Sequence, residues 1–401
     1  MTWVSPQVFQ SAKLGPVTLR NRIIKAATFE GVMPKGLVTE SLIDFHRRVA
    51  SGGVGMTTVA YLAVSPEGRT DRHCISLRPE ALPGLRQLTD AVHEQGAAIA
   101  AQVGHAGPVA NSRSNRAPSL APSNGFSPMG TRLRGVTEAD IARITEDYRN
   151  AALMVLDAGF DSIEIHLGHN YLLSAFLSPK LNRRTDQWGG SLENRARFPR
   201  RVAQVVREAV GDRIAVTAKL NMADGVPGGF WLDESVEVGR MLQSDGALDA
   251  LELTGGSSLA NPMYLFRGEA PLKEFGATLP PAIRLGFRVL GKRFMPSYPF
   301  EEAFFLPYAR QFRDALDMPL ILLGGINRLD TIQRAVDDGF DFVAMARALL
   351  REPDLVNKFH KGTASESLCI HCNKCMPTIY RGTRCVLVEP VEPVGAAGST
   401  K

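Results

Sequence analysis

With 401 residues, 44% of them hydrophobic and 22% charged, the chain has an ordinary globular composition and length enough to bury a large core without staples. That excludes the disordered, collagen-like and disulfide-scaffold classes, and the lack of any run of ~18 apolar residues argues against a spanning helix. The excess of 46 Lys+Arg over 41 Asp+Glu is small and dispersed, so nucleic acid is not an expected partner. The start, Met1 to Pro6, shows no basic-then-apolar leader, and a cytoplasmic location is expected.

Along the chain, short aliphatic runs alternate with longer amphipathic stretches. Candidate strands fall at 23–27, 55–64, 97–103, 161–166, 213–219, 248–254, 319–324 and 340–346. Most are continuously apolar, as parallel strands buried on both faces must be. Thr137 with Asp140 resembles a capping box, and Ser191 and Asp233 read as further helix N-caps. Strand–helix units in this number predict a (β/α)8 barrel over 1–360, followed by a cysteine-rich extension and a loose tail over 361–401. Two long inserts follow strand ends three and six. The first, 104–135, reads as an ordered loop. The second, about 256–303, mixes apolar and basic residues, and reads either as a lid or as a surface that touches membrane or a partner. The basic stretch Arg183 to Arg207 reads as a solvated helix face or as an attractor of an anionic cofactor such as NADPH.

Chemistry concentrates after strand four, in Ile163-Glu164-Ile165-His166-Leu167-Gly168-His169-Asn170-Tyr171. Two histidines and a tyrosine at a strand's C-terminal end suit catalysis, while buried structural groups and metal ligands remain open on those residues alone. The following Phe176-Leu177-Ser178-Pro179 to Gly189-Gly190-Ser191-Leu192-Glu193-Asn194-Arg195 closely resembles a signature of the old yellow enzyme family, FMN-dependent barrels that reduce activated alkenes with NAD(P)H. Asn21-Arg22-Ile23-Ile24, the stretch 64–69, Gln102 with Gly104-His105-Ala106-Gly107, Leu323-Gly324-Gly325 and Val343 to Arg347 match further family blocks in the same order.

The resemblance implies roles. His166 and His169 would hydrogen-bond the substrate's carbonyl oxygen, and Tyr171 would protonate the alkene carbon. FMN would be held by Ala26, Ala27, Thr28, Tyr61, Gln102, Lys219, Gly324, Gly325, Ala346 and Arg347. Within that set Lys219 faces the flavin N1–C2=O region, and Arg347 with the glycine turn takes the phosphate. Phe29 stands where many relatives place Cys or Thr, and the second insert exceeds that of smaller alkene reductases. Cys369, Cys372, Cys375 and Cys385 form C-x2-C-x2-C-x9-C. The larger relatives, dienoyl-CoA reductases and trimethylamine dehydrogenases, carry a [4Fe–4S] cluster there; zinc or metal-free thiols are the other readings. The expected activity is hydride transfer from NAD(P)H through FMN to an electron-poor alkene. The alternatives are an amine dehydrogenase or demethylase, an NADH oxidase, or an FMN/iron–sulfur module serving an electron-transfer partner. A homo-oligomer is also open.

Overall fold

Eight parallel strands close on one another in chain order: β1 (Ile23–Phe29), β2 (Met56–Ala63), β3 (Ala98–Gly104), β4 (Ser162–Leu167), β5 (Ala215–Asn221), β6 (Ala250–Thr254), β7 (Leu320–Leu323) and β8 (Phe342–Met345), which pairs back onto β1. The helices between and after them are α1 (Glu40–Ser51), α2 (Leu82–His93), α3 (Glu138–Asp157), α4 (Leu192–Val210), α5 (Leu232–Asp245), α6 (Leu306–Ala315), α7 (Leu329–Asp337) and α8 (Leu355–His360). This is the predicted (β/α)8 barrel. The structure is a computed structural model that describes residues 6–388 apart from Met129, Pro280 and Tyr380. Most of the expected loose tail, from Glu389 onward, lies outside the described residues.

Strand parity sorts the side chains. Ile24, Met56, Ala100, Ala215, Ala250 and Phe342 form an inner cluster at the N-terminal end of the barrel. An N-terminal hairpin, Ala12–Leu14 with Val17–Leu19, lays Leu14 and Leu19 on that cluster and closes the floor. Intervening positions such as Ile163, Ile165, Val216 and Leu251 join the larger core between barrel and helices. The mouth is therefore the end left for polar chemistry.

The cap readings hold at two of three places. Thr137 and Asp140 make a full capping box at α3, and the Ser191 side chain accepts from Asn194 N at α4. Asp233 instead sits inside the first turn of α5, whose cap position is Trp231; there it complements the positive end of the helix. The basic stretch divides: Arg183, Arg197 and Arg201 are exposed, as a solvated face requires, while other arginines tie elements together. Arg195 pairs with Glu234, Arg200 with Asp245 at 2.6 Å and Arg207 with Asp249 at 2.6 Å, joining α4 to α5 and to the start of β6.

Insert 104–135 is ordered as expected, with a three-stranded sheet of Ser119–Ala121, Gly125–Phe126 and Arg132–Gly135. The second insert contains the helices Met263–Phe266, Leu272–Thr278 and Pro281–Phe294. The cysteine-bearing extension lies against it. The Asn373 amide donates to the carbonyls of Arg267 (3.1 Å) and Glu269 (2.9 Å), and Lys374 pairs with Glu274 at 3.2 Å.

Candidate active site

At the mouth, adjacent strands bring charged residues into one row. The β4–β5–β6 register places His166 opposite Lys219, and Lys219 opposite Glu252. The Lys219 ammonium lies 3.0 Å from a Glu164 oxygen and 2.7 Å from a Glu252 oxygen, and Gln102 donates to Glu164 at 2.6 Å. All four side chains are buried. Burial works to discharge Lys219, but the two carboxylates outweigh it and hold its pKa above the ordinary lysine value. Burial pushes the Glu252 carboxyl up to about 8, against the pull of Lys219. The row thus holds one firmly charged ammonium between two carboxyls, one of which protonates near neutrality.

Beyond β4 the chain turns sharply, with His169 and Asn170 both at φ +59°. Asn221, on the end of β5, fixes that turn: its Oδ1 accepts from His169 N at 3.0 Å, while its Nδ2 donates to Asp224 and to Gly256 O. The His169 Nε2 meets Thr254 Oγ1 at 3.0 Å, and the His166 Nδ1 is buried with no partner among the described residues. His166 stands edge-on to His169 at 5.1 Å and to Tyr171 at 4.5 Å; Tyr61 packs edge-on to Tyr171 at 5.4 Å while donating its hydroxyl to Gly68 O. Burial, helped by Lys219, drives His169 down to about 3, and burial lowers His166 as well. Both imidazoles are therefore neutral at physiological pH and offer N–H groups rather than cations.

The segment of β1 expected to touch flavin is shaped by a buried network. Between Lys25 and Thr28, β1 gains one residue relative to β2. Lys25 Nζ donates to Thr28 Oγ1 at 2.6 Å and lies 3.8 Å from Glu30, which approaches His46 at 3.5 Å. Ala26 is buried at the inner cluster, and Ala27 packs beside Tyr61. Thr28 thus has its hydroxyl engaged by Lys25.

At the ends of β7 and β8, Gly324 (φ +118°) and Gly325 (φ +70°) adopt backbone that side chains resist. A Cβ on either would come within 2.5 Å of Phe305 or Phe304, so the turn must stay bare. A bare, positive-φ turn beside Ala346, the cap residue of the short helix Arg347–Arg351, suits a phosphate group. Together with the Gln102 amide, the Lys219 cation and the orphaned His166 nitrogen, it makes a donor set that fits FMN. Arg347 follows Ala346 at the end of β8, but its Nη1 donates to Arg267 O at 2.9 Å and to the Asn373 side chain. The same residue walls a cleft lined by Cys369, Cys372, Cys375 and Cys385, with His371 at its rim. Burial lowers Arg347 from its ordinary pKa while the Cys369, Cys375 and Cys372 thiols oppose it. The four thiols are free, and burial raises Cys375 to about 11. No group of three or more His, Cys, Asp or Glu among the described residues is arranged to hold a single metal ion.

The sequence reading missed Glu164, Glu252, Asn221 and Thr254. A lone acid inside a two-sided apolar strand was the available signal, since such a charge survives burial only when paired.

The model of the NADH:flavin oxidoreductase / NADH oxidase family matches residues 7–244. A 4,4′-dithiodibutanoate disulfide reductase of Rhodococcus erythropolis is 60% identical over 384 residues, covering 96% of this chain and 95% of that protein. A metal reductase of Desulforamulus reducens (strain ATCC BAA-1160 / DSM 100696 / MI-1) is 32% identical over 93% of this chain but only 52% of its own length, so the present chain spans about half of that relative. Among solved structures, morphinone reductase in complex with tetrahydroNAD matches with a TM-score of 0.69 and 25% identity, over 90% of this chain and 92% of that one. The chain belongs to the NADH:flavin oxidoreductase / NADH oxidase family and is an FMN-dependent oxidoreductase.

Proposed function

We propose that this chain reduces a small organic disulfide at the barrel mouth, with NAD(P)H as the electron source. The observation that carries a reductive site is the buried, unpartnered His166 Nδ1, set beside His169 and Tyr171. The end-to-end likeness to a 4,4′-dithiodibutanoate disulfide reductase favours a disulfide as acceptor. FMN, when bound, supplies a two-electron carrier between NAD(P)H and the acceptor. Gly324, Gly325 and Ala346 would hold its phosphate through backbone N–H groups; the Arg347 Nη1 is taken by Arg267 O and Asn373, which leaves only the rest of its fork for the phosphate. Ala26, Ala27, Thr28, Tyr61 and Gln102 would hold its ring system, with Lys219 at N1–C2=O.

The acceptor's S–S bond breaks as one sulfur takes hydride and becomes a thiol; the other leaves as a thiolate. His166 and His169 direct neutral N–H donors at that departing sulfur and stabilise its charge. A thiolate is stable enough to leave without taking a proton as it goes, so Tyr171 has little to give in this reaction. An electron-poor alkene is the second reading, favoured by the 4.5 Å approach of Tyr171 to His166. There the same donors would hold an enolate oxygen, and Tyr171 would protonate carbon. Tyr171→Phe separates the two. NAD(P)H consumption under nitrogen should stay within a few-fold with 4,4′-dithiodibutanoate, yet drop ~10²–10⁴-fold with cyclohexenone. Wild-type turnover of cyclohexenone but not of the disulfide would reverse the ranking.

The cysteine cleft is part of the same proposal. A [4Fe–4S] cluster takes one thiolate per iron corner, which four thiols around one cleft can supply; a lone zinc ion needs four donors drawn within ~2.3 Å of one point. Hydride transfer is a two-electron step and needs no one-electron wire. Cys372→Ser should therefore lose iron and melt lower while keeping most disulfide turnover. Unchanged iron content and melting temperature would make the thiols bystanders. Loss of all turnover with FMN retained would instead put a cluster on the electron path to a partner.

A further inference from the structure

The insert helix Pro281–Phe294 has no part in the site described above. Between Glu274 and Glu301 the chain has no acidic residue but four cations, Arg284, Arg288, Lys292 and Arg293. One face of the helix is anchored. Phe287 packs against Phe275 at 5.5 Å between ring centres, Gly291 is buried, and Arg284 donates to the carbonyls of Ala277 and Leu279, both at 3.1 Å.

The opposite face carries what a water-facing helix avoids. Leu285 and Val289, one turn apart, are 70% and 78% exposed; Leu290 is 62% and Ile283 46% exposed. Arg288 and Lys292, also one turn apart, run beside the Leu285–Val289 ridge, and Arg293 flanks it on the other side, all three exposed. Scattered exposed aliphatics are commonplace, but four on one short helix among unopposed cations form a patch.

An acidic protein groove would answer the charge, yet grooves take a narrow stripe of anchors, and these aliphatics spread over much of the exposed side. An anionic bilayer surface answers both features: acyl chains accept the aliphatics, and headgroup phosphates sit at the height of the flanking cations. At 14 residues the helix falls short of the ~20 needed to cross, so it would lie in the surface plane.

We propose that Pro281–Phe294 is a membrane-surface helix that seats this protein on anionic lipid, with Leu285 and Val289 entering the acyl boundary and Arg288, Lys292 and Arg293 engaging phosphate headgroups. Flotation of the FMN-loaded full chain with vesicles tests it, using phosphatidylcholine alone and phosphatidylcholine mixed with phosphatidylglycerol. The bound fraction should be at least tenfold higher on the mixed vesicles, and high salt should reduce it. Leu285→Gln/Val289→Gln and, separately, Arg288→Gln/Lys292→Gln should each lower it at least tenfold. These positions are exposed, so flavin content and melting temperature should match the parent and show that the fold is intact. No flotation on mixed vesicles overturns the proposal, as does flotation unaffected by Leu285→Gln/Val289→Gln, which would mark a purely ionic contact. Binding to polyglutamate without flotation, or concentration-dependent self-association that the aliphatic variant abolishes without flotation, overturns it in favour of an acidic protein or a second copy.

Discussion

The variant His166→Ala/His169→Ala should purify yellow, accept electrons from NAD(P)H to some degree, and turn over acceptor hardly at all. In the proposed mechanism each imidazole gives an N–H to the atom on which charge gathers, and removing one such donor typically costs ~10²–10³-fold in rate. The two rings meet edge to face, 5.1 Å between centres, so their effects should not simply multiply; each single variant should already lose most of the activity. Stopped-flow measurement separates the two halves of the cycle. NAD(P)H-driven bleaching of the flavin should be changed little beside reoxidation by 4,4′-dithiodibutanoate. A double variant that reoxidises at the wild-type rate removes the histidine pair from the mechanism. Because both imidazoles are held neutral, wild-type reoxidation should also show no inflection from them between pH 5 and 8.

Lys219→Met should be the most destabilising single change at the mouth. It leaves Glu164 and Glu252 buried without their shared cation, a change that costs ~3–5 kcal/mol in comparable buried pairs. Urea midpoints measure it, and a loss under ~1 kcal/mol would show that the three groups are not a balanced unit. Glu252→Gln added to Lys219→Met should restore part of the loss, since Glu164 keeps its bond from Gln102. The pH dependence has a definite sign. The folded-state Glu252 pKa is raised from 4.5 to about 8, so the native protein binds more protons than the unfolded chain between those values. Its contribution is fully present below pH ~4.5 and is lost as pH rises through about 8. Glu252→Gln alone should therefore gain stability relative to the parent as pH rises from 5 to 8, and the difference should level off above that. A difference that shrinks over the same range would contradict the assignment.

Much of this could be read before folding the chain, for a physical reason. Strands such as 319–324 are covered on both faces, so burial writes them as continuous apolar runs that no register can disguise. The placement of His166, His169 and Tyr171 together was legible because they cluster at the C-terminal end of a predicted strand. Glu164 and Glu252 were not, because each is a single letter whose partner arrives only when β4, β5 and β6 pair. Nor could the direction of Arg347 be read. Position at the end of β8 told where its backbone lies, but its guanidinium is aimed by Arg267 and Asn373, 80 and 26 residues away. The extra residue in β1 was equally hidden, since a bulge exists only relative to the neighbouring strand. Asp233 shows the limit of local rules: an acid suits both the cap and the first turn, and the chain puts it in the turn, behind Trp231 at the cap position.

The row linking Glu164, Lys219 and Glu252 also bears on how the barrel finds its own alignment. Parallel strands of alternating small aliphatics could slide past one another at little cost, because alanine matches alanine. A slip of β5 by one residue would turn the Lys219 ammonium out of the barrel and strand two carboxylates inside it. A slip of two would keep it inside but carry it ~6–7 Å away from both, beyond ion-pair reach. Among the neighbouring registers of β5, only the native one neutralises the interior, so the same three side chains that face the chemistry act during closure as a vernier that rejects misaligned barrels.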